Sequence, residues 1–369
     1  MRCVFQNHKI GTGELFMEMK NITISDIAEA LDLSRSTIDR VINERGSVAK
    51  ETRKKVLAYI EKNDYKPNRA AKHLAKKTNC TIGISYYLPE KFAAQIKTGI
   101  EDVYQELKGY GLNLIIKEAA SSAEQIKQIK AMKSKVDGLM VAPWAPKKIN
   151  SLINKFIEAE IPVVTFNRDA PASKRLFYFG CDYFKAGRIS GEIIKKITST
   201  AGKIAIISND DDLVGKRRVK GFYSILKENT SHQIIGPYTV YDHFGISDAY
   251  TQKDVNYIKK IIEDNPDLKA FYVVNQSLYL VARVVKEMGK KDQIKVIGFD
   301  LFDKFIPFLE EEVIDALICQ EPYSQGYFPV KILFEILVED REVEKSEFIT
   351  RLEVVLKENL NYYHDYHYL

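Results

Sequence analysis

Two sets of residues have types and spacings that can do chemistry. The first is SRSTIDRVIN, residues 34–43. At helical spacing Arg35, Ser36 and Arg40 share a face turned away from Ile38, Val41 and Ile42. An arginine in the major groove can donate two hydrogen bonds to guanine. Ser34, Thr37 and Asn43 can hold phosphates, which position a helix without reading sequence. Asp39 fits either a pairing with Arg35 at i,i+4 or acceptance of a hydrogen bond from cytosine. The plain alternative for this face is a solvated helix surface carrying a charge pair.

The second set lies at the ends of apolar runs: Asn167-Arg168 after PVVTF, Asn275 after AFYVV, Asp300 after KVIGF and Gln320 after DALIC. Ligands of open parallel sheets bind beyond the carboxyl ends of the strands. Asp, Asn, Gln and Arg together suit a polyol, whose hydroxyls each donate and accept a hydrogen bond. Taken singly, an Asn or Asp there also reads as a helix cap, and Arg168 as a partner of Asp169. Trp144, after GLMVAP, either covers a sugar ring or packs under a loop, and Phe244 or His243 is a candidate for a further wall. Asp210, Asp211 and Asp212 read as a solvated loop, and the tail NYYHDYHYL, with His364 and His367, as a surface segment. No metal site is expected.

The elements that must position these residues fall into two regimes. From Thr23 to about Tyr65 the apolar spacing is helical: Ile27, Ala28 and Leu31, then Ile38, Val41 and Ile42, then Val56, Leu57 and Ile60. Three short helices follow, with Thr23 as the first cap and a tight turn at Leu31-Asp32-Leu33-Ser34. Beyond Cys80 short β-rich runs alternate with amphipathic helices. The strands are expected at 81–87, 113–118, 138–143, 162–167, 177–180, 203–208, 270–274, 295–299 and 315–319. Such alternation predicts two doubly wound parallel sheets.

Length and composition agree with this division. The 369 residues are 45 % hydrophobic and 28 % charged, enough for several cored domains. Lys20–Thr78 carries 14 Lys/Arg against 8 Asp/Glu, a basic module, whereas residues 79–369 carry 39 against 40. Cys3, Cys80, Cys181 and Cys319 are far apart and read as buried thiols. No apolar run of about 18 residues and no secretory leader is present, so neither a membrane partner nor export is expected, and the cytoplasm is. A P-loop, GxGxxG, GxSxG and HExxH are all absent, so no enzyme and no cofactor are expected.

The stretch TISDIAEALDLSRSTIDRVINERGSVAKETRKKVLAYIEKNDYKPNRAAKHLAKKTNCTIGI, residues 23–84, resembles the DNA-binding domain and hinge of LacI/GalR transcription regulators. Asp32 stands at the usual turn glycine and Ala49 at the usual serine cap of the third helix. The resemblance implies a hinge helix near residues 68–76 that forms on operator DNA, with Leu74 as the minor-groove wedge and Ala71 at the contact between paired hinge helices. Residues 80 to about 357 resemble the ribose-binding-protein type of periplasmic sugar receptor. That resemblance puts Asn167 and Arg168 at a sugar-gripping pair where Asp is more common. It makes Arg218 of GKRRVKGF the arginine of the second lobe, and Asn275, Asp300 and Gln320 further ligand contacts. Phe92 falls among the aromatics after the first strand.

The implied architecture is a small all-α helix-turn-helix head joined by a hinge to a two-lobed sensor with two doubly wound parallel sheets. The expected bounds are an extension at 1–20, disordered or from a misassigned start; the head at 21–67; and the hinge at 68–79. The sensor follows as one lobe at 80–182 and 321–348, a second at 183–320 and 349–357, and a tail at 358–369. The implied function is a regulator, acting as a homodimer on pseudopalindromic double-stranded operator DNA and controlled by a monosaccharide or derivative bound between the lobes. A purine or other non-sugar ligand, a protein partner, or a transport-type sugar receptor are the alternatives.

Overall fold

The computed structural model describes residues 24–42, 46–63, 79–198, 200–208, 213–227, 232–240, 250–339 and 341–364. The chain divides into two compact units, Met1–Lys77 and Thr78–Leu369.

In the first unit α1 (Ile24–Leu31), α2 (Arg35–Ile42) and α3 (Lys50–Lys62) enclose a small core of Ile27, Ala28, Ile38, Val41 and Val56. Asp32 turns the chain between α1 and α2 at φ +53°, the left-handed region that a short polar side chain tolerates. Ser34 then starts α2, its Oγ accepting from the amide of Thr37 at 3.1 Å. Ala49 stands at the N-cap of α3 without a side-chain cap. The helical spacing is corrected at one position: Leu57 is 48 % exposed, because Val56 and Ile60 already fill the inward stripe of α3. Thr23 lies outside the described residues.

The second unit runs β1 (Cys80–Tyr86), α4 (Glu90–Leu107), β2 (Leu112–Glu118), α5 (Ser122–Met132), β3 (Gly138–Ala142), α6 (Pro146–Ile157), β4 (Val163–Phe166) and β5 (Tyr178–Gly180). It continues with α7 (Tyr183–Ile197), β6 (Lys203–Ile207), α8 (Leu213–Leu226), β7 (Gln233–Tyr238), α9 (Gln252–Glu263), β8 (Leu268–Val273), α10 (Leu278–Glu287) and β9 (Lys295–Phe299). The remainder is α11 (Ile306–Glu310), β10 (Ala316–Cys319), α12 (Pro322–Glu339), β11 (Glu347–Ile349), β12 (Glu353–Val355) and α13 (Asn361–His364).

One sheet has the order β11-β5-β4-β3-β1-β2 and the other β12-β10-β9-β8-β6-β7. Every pairing is parallel except that of β10 with β12, so the two expected doubly wound parallel sheets form, with one antiparallel pairing at an edge. Nearly continuous apolar runs such as Gly138–Ala142 are buried on both faces, as parallel strands between helices must be. All nine expected strands form. β7, β11 and β12 were not foreseen, and all three are edge strands. β7 contains Gly236 and Pro237, residues that demote a strand to an edge, while β11 and β12 have only three residues each.

α7 and α8 pack with almost touching backbones. A β-carbon at Gly187 would stand 1.8 Å from the carbonyl oxygen of Arg218, so only glycine lets α8 approach and carry Arg218 inward. Cys80, Cys181 and Cys319 are buried free thiols, and Cys3 lies outside the described residues. Burial pushes the Cys80 thiol up to about 12.

Candidate functional site

In the helical unit Ile38 and Val41 are buried under α2, leaving Arg35, Ser36, Asp39 and Arg40 exposed together and Thr37 half-buried. The Ser34 hydroxyl lies 2.8 Å from those of both Ser36 and Thr37, so the start of α2 is a cluster of three hydroxyls. A basic and hydroxyl-rich helix face of this kind can meet base edges and phosphates. Asn43, Ala71 and Leu74 lie outside the described residues.

In the second unit the predicted polar residues gather at the carboxyl ends of both sheets, where helices leave and backbone polar groups are open. Asn167 follows β4 with φ +54°. Its amide donates to Phe179 O at 3.1 Å, and its carbonyl accepts from the hydroxyls of Tyr178 (2.7 Å) and Tyr183 (2.6 Å). The side-chain Nδ2 donates to Oε1 of Gln325 at 3.1 Å. Arg168 does not take the local acid. Asp169 accepts instead from Nη2 of Arg175 and from the hydroxyl of Thr165, each at 2.8 Å, while the Arg168 guanidinium lies 4.0 Å from the centroid of Trp144. Trp144 in turn meets the ring of Tyr87 at 4.8 Å. The tryptophan thus lies between the Arg168 guanidinium and a tilted Tyr87 ring, and Phe244 and His243 lie outside the described residues.

Arg218 enters from α8. It is only 5 % exposed, lies 3.7 Å over the ring of Phe299 and 5.3 Å from that of Tyr183, and donates through Nη1 to Val274 O at 3.1 Å. Its buried Nε has no hydrogen-bond partner among the described residues. Asn275, after β8, does not cap the next helix, whose N-cap is Ser277; its Oδ1 accepts from Ser277 N at 3.0 Å in a side-chain turn, and its buried Nδ2 has no partner among the described residues. Asp300, after β9, has φ +61° and is held by Gln320, whose Nε2 donates to its two oxygens at 2.9 and 3.2 Å. Burial pushes the Asp300 carboxyl above the usual carboxylate range, against the pull of Arg218 and of the Gln320 hydrogen bond. The Oε1 of Gln320 is a further buried polar atom with no partner among the described residues.

Buried donors and acceptors are ordinarily satisfied, so three such orphans on Arg218, Asn275 and Gln320 mark a place that a polar molecule can complete. Phe92 sits on the first turn of α4, buried in the apolar cluster, and Gln95 on the same helix donates from Nε2 to Leu301 O at 3.3 Å. Sequence reasoning did not single out Tyr178, Tyr183 or Gln325. Tyr183 had a local signal, since it starts the helix that leaves β5. Gln325 had none, because it is one polar residue within a mostly apolar helix. Among the described residues no group of three or more His, Cys, Asp or Glu side chains can hold a metal ion, and no helix is long and apolar enough to cross a membrane.

Both units are similar to known proteins. Residues 82–340 match the periplasmic binding protein domain, and residues 23–68 match bacterial regulatory proteins of the lacI family. The chain is 24 % identical over 358 residues to the ribose operon repressor of Halalkalibacterium halodurans, covering 91 % of this chain and 95 % of the repressor. It is 27 % identical to catabolite control protein A of Staphylococcus epidermidis over 57 % of this chain, a match spanning 65 % of that relative's length. Among solved structures, GanP, a glucose-galactose binding protein from Geobacillus stearothermophilus, superposes with a TM-score of 0.66 at 26 % identity, covering 77 % of this chain and 99 % of GanP. Matched over residues 82–340, the chain belongs to the periplasmic binding protein domain family, and it carries at residues 23–68 a helix-turn-helix head similar to bacterial regulatory proteins of the lacI family.

Proposed function

We propose that this regulator binds pseudopalindromic operator DNA as a homodimer and that a small carbohydrate, bound where the two sheets present their carboxyl ends, sets its operator affinity. In this reading Arg35, Ser36 and Arg40 contact bases, and Ser34, Thr37 and Asn43 contact phosphates. Leu74 wedges the minor groove, and Ala71 lies where the two hinge helices meet. Phe92, Asn167, Arg168, Arg218, Asn275, Asp300 and Gln320 hold the effector, with Trp144 as a wall. The lobes are residues 80–182 with 321–348 and residues 183–320 with 349–357, so the effector bridges segments that can move against each other. The protein works in the cytoplasm and has no catalytic role.

The observation that carries this reading is the convergence of Arg218, Asn275 and Gln320, each with an unsatisfied buried polar atom, beside Asp300 and the aromatic ring of Phe299. A sugar supplies hydroxyls that donate and accept toward such groups. The test is thermal unfolding of the whole chain against pentoses, hexoses, polyols, sugar phosphates and nucleobases. A ligand at about 100 times its dissociation constant adds about 2.7 kcal/mol. One carbohydrate is expected to raise the transition in the wild type and not in Asp300→Ala. Stabilisation by a nucleobase alone, or an undiminished shift in the variant, contradicts the carbohydrate reading.

A further inference from the structure

We propose that Gln325 is the positioning residue that holds the site residues of the two sheets in one register, through a relay running Asn167, Gln325, Gln320, Asp300. The proposal rests on reading these strand ends as the effector site. Gln325 lies on α12 in the helix's first turn after the chain returns from β10, and it is fully buried. Both halves of its amide are used. Oε1 accepts from Nδ2 of Asn167 at 3.1 Å, and Nε2 donates to the backbone carbonyl of Gln320 at 2.7 Å. The amide orientation follows from its neighbours, since the Gln320 carbonyl can only accept.

The relay continues across the join. Gln320 turns its side chain to the second sheet and donates to both oxygens of Asp300, while its own carbonyl takes a second hydrogen bond from Oγ1 of Thr350 at 3.1 Å. Asn167 belongs to the end of β4 and Asp300 to the end of β9, in different sheets. The backbone is left-handed at two relay residues, Asn167 (φ +54°) and Asp300 (φ +61°), and at Glu321 (φ +52°) next to Gln320. Such conformations persist where the surroundings over-determine them. A leucine or methionine would fill the same volume at Gln325 without a buried amide to satisfy, so the two hydrogen bonds, and not packing, distinguish glutamine at this position. No effector touches Gln325 in this scheme. It acts through Asn167 on one side and Gln320 on the other.

Hydrogen exchange of the full-length protein tests the relay without any sugar. The reporters are the Asn167 amide, bonded to Phe179 O, and the Asp300 amide, bonded to Ile318 O, with Met140 in β3 and Tyr272 in β8 as references. Gln325→Met is expected to speed exchange at least tenfold at Asn167 and at Asp300 together, leaving the references unchanged. Acceleration at Asn167 alone, or at neither, overturns the proposal. Gln325→Glu separates the halves, because an ionised carboxylate still accepts from Asn167 but cannot donate to Gln320, whereas its protonated form can do both. Its exchange ratio to wild type at Asp300 is expected to climb as pH rises from about 5 to about 9, with Asn167 unmoved. A ratio of one throughout overturns the relay even if the methionine variant does not fold. Failure of every sugar to bind would count against the effector reading and would leave these exchange results as they stand.

Discussion

Gly187→Ala isolates the contact that delivers Arg218 to the site. The added β-carbon would lie 1.8 Å from the Arg218 carbonyl oxygen, and ordinary contact begins at 3.4 Å, so α8 must withdraw from α7 by about 1.6 Å. Overpacking of this kind costs about 1–3 kcal/mol. Helix propensity pulls the other way, since alanine in a helix interior is favoured over glycine by about 0.5–1 kcal/mol. The clash is the larger effect, and a net loss of about 1–2 kcal/mol is expected, lowering the sensor's melting temperature by roughly 2–3 °C for a domain of this size. Withdrawal would also pull Nη1 of Arg218 from Val274 O, so affinity for any sugar that stabilises the wild type falls too. Gly109→Ala is the internal control, because nothing lies within 4 Å of a β-carbon there. Thermal unfolding with and without that sugar reads both effects. An unchanged or raised melting temperature in Gly187→Ala would refute the argument.

Two further expectations follow from the two sites. Asp300→Asn alters the pH dependence of stability: burial raises the wild-type carboxyl above its unfolded value, so the folded state holds more protons between the two values and stability falls as pH rises through that window. The melting temperature of wild type minus that of the variant should therefore drop as pH rises through the acid range, and a constant difference would contradict the raised value. Arg40→Ala should weaken binding to a selected operator by about 1–3 kcal/mol and relax base preference at one position in each half-site, leaving thermal stabilisation by sugar intact. A uniform loss across all sequences would make Arg40 a phosphate contact instead.

Much of this fold is legible in the chain because its strands are buried on both faces and so appear as apolar runs, as at Gly138–Ala142 and Lys295–Phe299. The three edge strands escape this reading, since β11 and β12 are short and β7 is half-exposed and carries Gly236 and Pro237. In the helical unit the spacing gave Leu57 an inward role that the structure gives to its neighbours. The candidate site is legible where a polar residue follows a strand, as with Asn167, Asn275, Asp300 and Gln320. The helix-cap alternative is not met at Asn275, which makes a side-chain turn ahead of the helix that Ser277 begins, while Asn167 and Asp300 sit in left-handed backbone and bond side chains of Gln325 and Gln320. Gln325 was illegible because its partners are 158 residues upstream and five residues back across the join between the sheets, and only tertiary structure brings them together.

In the proposed function carbohydrate occupancy changes operator affinity. That coupling is tested most directly by fluorescence anisotropy of the full-length protein on a duplex selected from a random pool, with and without the sugar that stabilises the wild type. Operator affinity is expected to change at least about fivefold, the lower end of a typical allosteric coupling, and not to change in Asp300→Ala despite intact DNA binding. Equal operator affinity with and without a sugar that demonstrably binds would contradict it.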